Sequence, residues 1–184
     1  MNAFDDASEV SARSMEILIP LLRLRSHDGR FVLTDKGRLS KSLQETIGDA
    51  LINRANGDVV AVEMKAEEGN DYDNLFLEEW SNRSRFNRGW LDKLDTDVLL
   101  YHFLREDLLY VIDFQKLRAW AFLADSQRGT RNPGRLYDFQ SKKQCRREQM
   151  NDTWGRCVPI DVIRAEVGYK LLRPQQELAR AVKA

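Results

Sequence analysis

The sequence predicts an α/β or α+β domain, a central mixed β-sheet flanked by helices, and three observations carry that reading. Apolar residues at helical spacing open the chain, an Asn-Gly turn joins two apolar strands, and a second hairpin runs directly into another helical spacing. All 184 residues, 1–184, fit one domain, because domains of about 100 to 200 residues already bury most of their apolar surface. No internal repeat or low-complexity linker divides them.

In chain order, Val10, Ser14, Ile17, Leu18, Leu21 and Leu22 predict a first helix from about Ser8 to Leu24, with Pro20 as a kink or stop. Leu39, Leu43 and Ile47, four apart, predict a short second helix with Ser40 near its start as a cap and Gly48 at its end. Asp49 to Ile52 and Val59 to Lys65 flank Arg54-Ala55-Asn56-Gly57-Asp58, whose Asn-Gly pair signals an antiparallel hairpin. Further strands are expected from Leu75 to Trp80, Val98 to Phe103 and Leu108 to Ile112, the last two joined across Arg105-Glu106-Asp107. Phe114, Leu117, Arg118, Ala121 and Phe122 read as a helix packing on that sheet. Cys157 to Ile163 is expected as an edge strand, a place where Pro159 is tolerated.

Hydrophobic residues at 42% and charged residues at 32% exclude a disordered or fibrous chain. Cys145 and Cys157 are too few for a disulfide framework and have no Cys or His pair near them for a zinc site, so a reducing cytoplasm is the expected setting. The start, Met1-Asn2-Ala3-Phe4-Asp5-Asp6, is acidic and has neither the basic nor the apolar part of a secretory signal. The apolar stretch from Ile17 to Leu22 falls far short of the roughly 20 residues a membrane span needs, so no membrane partner is expected. Net charge is zero but unevenly spread. The segment 126–147 holds Arg128, Arg131, Arg135, Lys142, Lys143, Arg146 and Arg147 against Asp138, which makes it +6 and the remainder −6. A basic segment on an acidic body suits an enzyme that holds metal cations in one place and phosphates in another, and these seven residues are the expected nucleic-acid-binding set.

Within a strand, residues two apart share a face, so Glu63 and Lys65 project together while Val60, Val62 and Met64 project to the other side. Alone, this Glu-x-Lys pattern reads as a solvated ion pair at a strand end. Asp49 on the neighbouring strand changes the reading. A two-residue Asn56-Gly57 turn would set Asp49 opposite Met64, whereas a three-residue Ala55-Asn56-Gly57 loop sets it opposite Glu63 and places Gly57 where a left-handed residue is needed. Facing carboxylates repel unless a metal or a proton lies between them. Mg²⁺, with Mn²⁺ as a substitute, prefers oxygen ligands, keeps several waters and suits phosphodiester hydrolysis. Lys65 then stabilises the pentavalent phosphate or helps to orient and deprotonate the attacking water.

The series Asp49, an interval from Ala50 to Val62, then Glu63-Met64-Lys65 resembles the PD-(D/E)xK nuclease superfamily, and the likeness covers about Met15 to Ile112. It implies a restriction-endonuclease-like fold, with Asp49, Glu63 and Lys65 as catalytic residues and Asp49, Glu63 and the Met64 backbone carbonyl as metal ligands. Gly48 stands where the nominal proline of that motif would be. Members of the superfamily often add a glutamate from a preceding helix; Glu16 and Glu45 compete for that place, with Glu16 favoured because Glu45 is close to Asp49 along the chain. The stretch from Asn74 to Asn82 looks like compact phage and bacterial members, and there Glu78 is the acid expected near the site. The resemblance implies a nucleic-acid partner, DNA in a bacterial or phage-infected cell, and leaves a homodimer open.

His102 and His27 have no ligand-spaced partner and read as core and surface histidines. Trp80, Trp90, Trp120 and Trp154 read as core and rim packing. A metal-dependent DNA endonuclease is the leading function. The alternative is a catalytically inactive nucleic-acid-binding or inhibitor protein on the same fold, weighed against by an intact Asp49, Glu63 and Lys65. A ligand-binding module is disfavoured by the absence of a Gly-rich phosphate loop.

Overall fold

The computed structural model describes residues 3–34, 40–122, 140–141 and 152–183. A long helix, α1 (Ala3–Arg25), is followed by a 3-10 turn (His27–Gly29), β1 (Phe31–Leu33), α2 (Ser40–Ile47), β2 (Ala50–Asn53) and β3 (Val59–Glu67). Then come β4 (Asn74–Asn82), β5 (Asn87–Arg88), α3 (Trp90–Lys93), β6 (Val98–Phe103), β7 (Leu108–Asp113) and α4 (Phe114–Phe122). The remaining elements are β8 (Gln140–Ser141), β9 (Trp154–Pro159), α5 (Ile160–Glu166), β10 (Lys170–Leu172) and α6 (Pro174–Lys183).

Six strands form a mixed central sheet in the order β1-β2-β3-β6-β7-β10, parallel only between β3 and β6. One face carries Val60, Val62, Met64, Leu100 and Leu109, which pack with Leu18, Leu21 and Leu22 of α1 and, at the margin, Leu178 of α6. The opposite face carries Leu99, Tyr101, Phe103 and Ile112 into a larger core with α3, α4 and α5. The mixed sheet flanked by helices is the architecture the sequence predicted.

A second, antiparallel sheet of order β5-β4-β9-β8 was not foreseen. Its first two strands lie in the crossover between β3 and β6, and β4 pairs with β9 along Asn74↔Pro159 to Trp80↔Trp154. The expected edge strand from Cys157 to Ile163 is corrected twice by this arrangement. The strand runs from Trp154 to Pro159 and is interior, and Ile160 begins a helix instead. Pro159 is pre-set for a helix start, Asp161 suits the first turn, and Ile160 and Ile163 are buried at helical spacing. Pro20 does not stop α1 either: it is exposed, as is Glu16 four residues before it, so the carbonyl that loses its partner faces water. Among the described residues no helix is long and apolar enough to cross a membrane.

Candidate active site

The β2–β3 hairpin has the register that brings the two carboxylates together. Ala50 pairs with Val62 and Asn53 with Val59, so Asp49, one residue before β2, stands opposite Glu63. The loop is the three-residue form, closed by Arg54 N–H to the Asp58 carbonyl (2.8 Å) and Gly57 N–H to the Arg54 carbonyl (3.0 Å), with Gly57 at φ +89°.

Local backbone bonds hold Asp49 from both sides. Its N–H donates to the Val62 carbonyl at 2.8 Å, and its carbonyl accepts from Thr34 N–H at 2.9 Å. The buried Thr34 hydroxyl donates to the Gly48 carbonyl at 2.5 Å. Gly48 is required here: its φ is +102°, and a Cβ would sit 2.8 Å from the Val62 oxygen. A proline, whose φ is locked negative, could not replace it in this geometry.

The Asp49 side chain takes the ladder position that β2 leaves vacant beyond Ala50. One carboxylate oxygen accepts from Met64 N–H at 2.8 Å and the other from the Gln44 amide of α2 at 2.7 Å. Because N–H and C=O of a strand residue point to the same side, the Met64 carbonyl faces this edge as well. Glu63 is 3% exposed and lies close enough to Asp49 for a side-chain hydrogen bond. Lys65, one third exposed, pairs with Glu63 and lies 5.7 Å from the Trp90 ring centroid.

These groups line a cleft of about 370 Å³ between β3 and the second sheet, with Glu45, Glu67, Phe76, Glu78, Trp90, Lys93 and Tyr101 on its walls. Five carboxylates therefore face two lysines. Burial, with Asp49 adding repulsion against the attraction of Lys65, pushes the Glu63 carboxyl up to about 7. Glu63, Asp49 and Glu78 together outweigh burial at Lys65 and hold its ammonium above the usual lysine range. The site carries more negative charge than Lys65 balances. Compared with known proteins, the chain matches no family model, no curated sequence and no solved structure. Its functional reading therefore stands on this geometry.

Of the residues singled out in the sequence, Asp49, Glu63 and Lys65 converge, Met64 presents its backbone beside them, and Glu45 and Glu78 line the same cleft. Glu16 does not. Ser11, Ser14 and Met15 are the α1 residues beside the site, and Glu16, about 200° round the helix from Ser14, is exposed. The preference for Glu16 over Glu45 is thus reversed, because α2 packs its last turn against the cleft. Arg128, Arg131, Arg135, Lys142, Lys143, Arg146 and Arg147 lie outside the described residues. His102 is fully buried in β6, where its Nδ1 meets the Ser14 hydroxyl at 2.9 Å, and His27 sits on the exposed turn beside Asp28.

Sequence reasoning missed Gln44, Glu67 and Tyr101. Glu67 was findable as the next residue but one after Lys65 on the same strand face. Tyr101, the register partner of Lys65 on β6, donates to Glu67 and accepts from Phe76 N–H at 3.2 Å. Gln44 carries no local signal, since only the turn at Gly48 folds it back onto Asp49.

Among the described residues no three His, Cys, Asp or Glu side chains converge as a metal cage. A cation with few protein ligands still suits the donor set. Asp49 and Glu63 lie within side-chain hydrogen-bond reach of each other, and Mg²⁺ is commonly held by one or two carboxylates with its waters retained.

Proposed function

We propose that the chain is a Mg²⁺-dependent nuclease of the PD-(D/E)xK type that hydrolyses phosphodiester bonds, most directly as a DNA endonuclease in the bacterial or phage-infected cytoplasm. The observation that carries this reading is the pairing of Asp49 with a buried Glu63 beside Lys65, in a cleft with surplus negative charge. Asp49, Glu63 and the Met64 carbonyl would hold the ion. When bound, Mg²⁺ supplies a hydroxide nucleophile at neutral pH and neutralises charge on the phosphate.

The chain's own residues supply the rest. Gln44 and Met64 N–H orient the Asp49 carboxylate and keep it from rotating away from Glu63. Glu63 and the Trp90 ring fix the Lys65 ammonium at the cleft surface. Its raised pKa keeps Lys65 cationic at neutral pH, which favours stabilisation of the developing phosphate charge over proton abstraction.

The reading is tested by incubating the protein with plasmid, linear, branched and single-stranded DNA in Mg²⁺, Mn²⁺ or EDTA. Cleavage is expected with the metals and absent in EDTA. Lys65→Ala should fold normally and cut about 10²-fold more slowly, the scale for losing one preorganised charge-stabilising group. Asp49→Asn should abolish metal-dependent cutting. A Lys65→Ala protein that cuts at the wild-type rate in saturating Mg²⁺ would falsify the mechanism, and binding without any cleavage supports an inactive nucleic-acid-binding protein instead.

A further inference from the structure

A basic and aromatic ridge runs along the second sheet outside the cleft. Trp80 pairs with Trp154 while the cleft residue Glu78 pairs with Gly155, so the bulge between them turns Trp80 to the face of β4 opposite Glu78. Arg88 of β5 sits 4.0 Å from the Trp80 ring centroid, and Arg83 sits 4.5 Å from that of Trp154, the register partner of Trp80 on β9. Both indoles are half-buried, so the stacked guanidiniums lie along the outside of the sheet. At the tip, Phe86 N–H closes a turn onto the Arg83 carbonyl at 3.0 Å, and Arg85 N–H donates to Asn82 Oδ1 at 2.9 Å.

Phe86 is the residue that folding does not explain. It holds φ +56°, a conformation that suits Gly or Asn and penalises a bulky aromatic, and it is 80% exposed. An apolar ring kept in water on a strained backbone is placed for a ligand. The acids nearby orient this ridge. Asp152 accepts from the Ser84 N–H (3.1 Å), the Ser84 hydroxyl (2.6 Å) and the Trp154 indole, and these bonds hold its carboxyl below the usual range. Asp92 meets Arg88 through Nε at 3.2 Å.

We propose that this ridge, formed by Trp80, Arg83, Arg85, Phe86, Arg88 and Trp154, binds an unpaired stretch of the DNA substrate outside the cleft. The choice of DNA rests on the nuclease reading. Three arginines supply the charge complement of a phosphate backbone, and stacking on Trp80 and Trp154 pre-orders two of them. Phe86 stacks under a base, which requires an unpaired strand because in a duplex the base faces are covered by their neighbours.

The test is fluorescence anisotropy with labelled single-stranded oligothymidylate and a duplex of equal length, in EDTA so that cleavage does not intervene. Phe86→Asn suits the backbone angle, so its fold is not at risk, which a melting curve checks. Its affinity for the single strand should fall about tenfold, the scale of one lost base stack, with little change for the duplex. Arg85→Ala should reduce the salt slope of single-strand binding by about 0.7, one phosphate contact. Wild-type affinity in Phe86→Asn, or an unchanged slope in Arg85→Ala, overturns the proposal and leaves the ridge to a protein partner. A wild-type protein that binds the strand through Phe86 yet cuts nothing in Mg²⁺ sinks the nuclease reading alone. One that cuts plasmid while both variants bind like wild type sinks the ridge alone.

Discussion

Glu63 is where burial and chemistry conflict most sharply. In the folded chain its carboxyl is pushed from 4.5 to about 7, so the native state keeps a proton that the unfolded chain has already lost. The sign follows from linkage: where the native state binds more protons, stability falls as pH rises. Below 4.5 the group contributes no penalty, and between 4.5 and about 7 a metal-free protein loses roughly 3 kcal/mol through it. Melting curves in EDTA should therefore show a decline over that window which Glu63→Gln removes. Superimposable wild-type and Glu63→Gln profiles would mean that the buried charge is compensated in some other way. Mg²⁺ added at pH 7 should raise the wild-type melting temperature and leave that of Asp49→Asn unchanged, because ligand binding to the native state stabilises by mass action.

Two glycines set the register and position of the β2–β3 hairpin, and they separate two causes of destabilisation. Gly57 has φ +89° and open space around its missing side chain, so Gly57→Ala meets backbone strain alone, about 1 kcal/mol. Gly48 adds collision with the β3 backbone to a φ of +102°, so Gly48→Ala should cost clearly more, about 2 to 4 kcal/mol, and displace Asp49. Urea unfolding measures both. Equal losses at the two glycines would show that the Gly48 contact relaxes freely. The hairpin was legible because Asn56-Gly57 restricts the turn and Asp49 selects among its forms. The extent of α1 was not, since Pro20 is tolerated only because that stretch of the helix surface faces solvent.

Across the whole molecule, Glu79 and Arg156 form a buried ion pair that joins β4 to β9, and Arg156 also donates to the Ala121 carbonyl at the end of α4 at 2.7 Å. Arg156→Ala should destabilise by about 3 to 5 kcal/mol, because it leaves the Glu79 charge buried, while Glu79→Leu with Arg156→Met should recover most of that loss. A small effect of Arg156→Ala on urea unfolding would mean that the second sheet is held by packing alone. The sequence predicted Glu78 near the site but had no means of assigning Glu79 to this pair, since its partner lies 77 positions away. What the sequence determined by itself are features carried by near neighbours: strand and helix periodicity, the three-residue loop, and the shared face of Glu63 and Lys65 opposite Asp49. Only the tertiary structure decided the second sheet, the choice of Glu45 over Glu16 beside the cleft, the Gln44 bond to Asp49, and the ridge from Trp80 to Phe86. Those features depend on pairings between distant segments, whose free energy is set by how the elements pack and leaves no period or spacing along the chain.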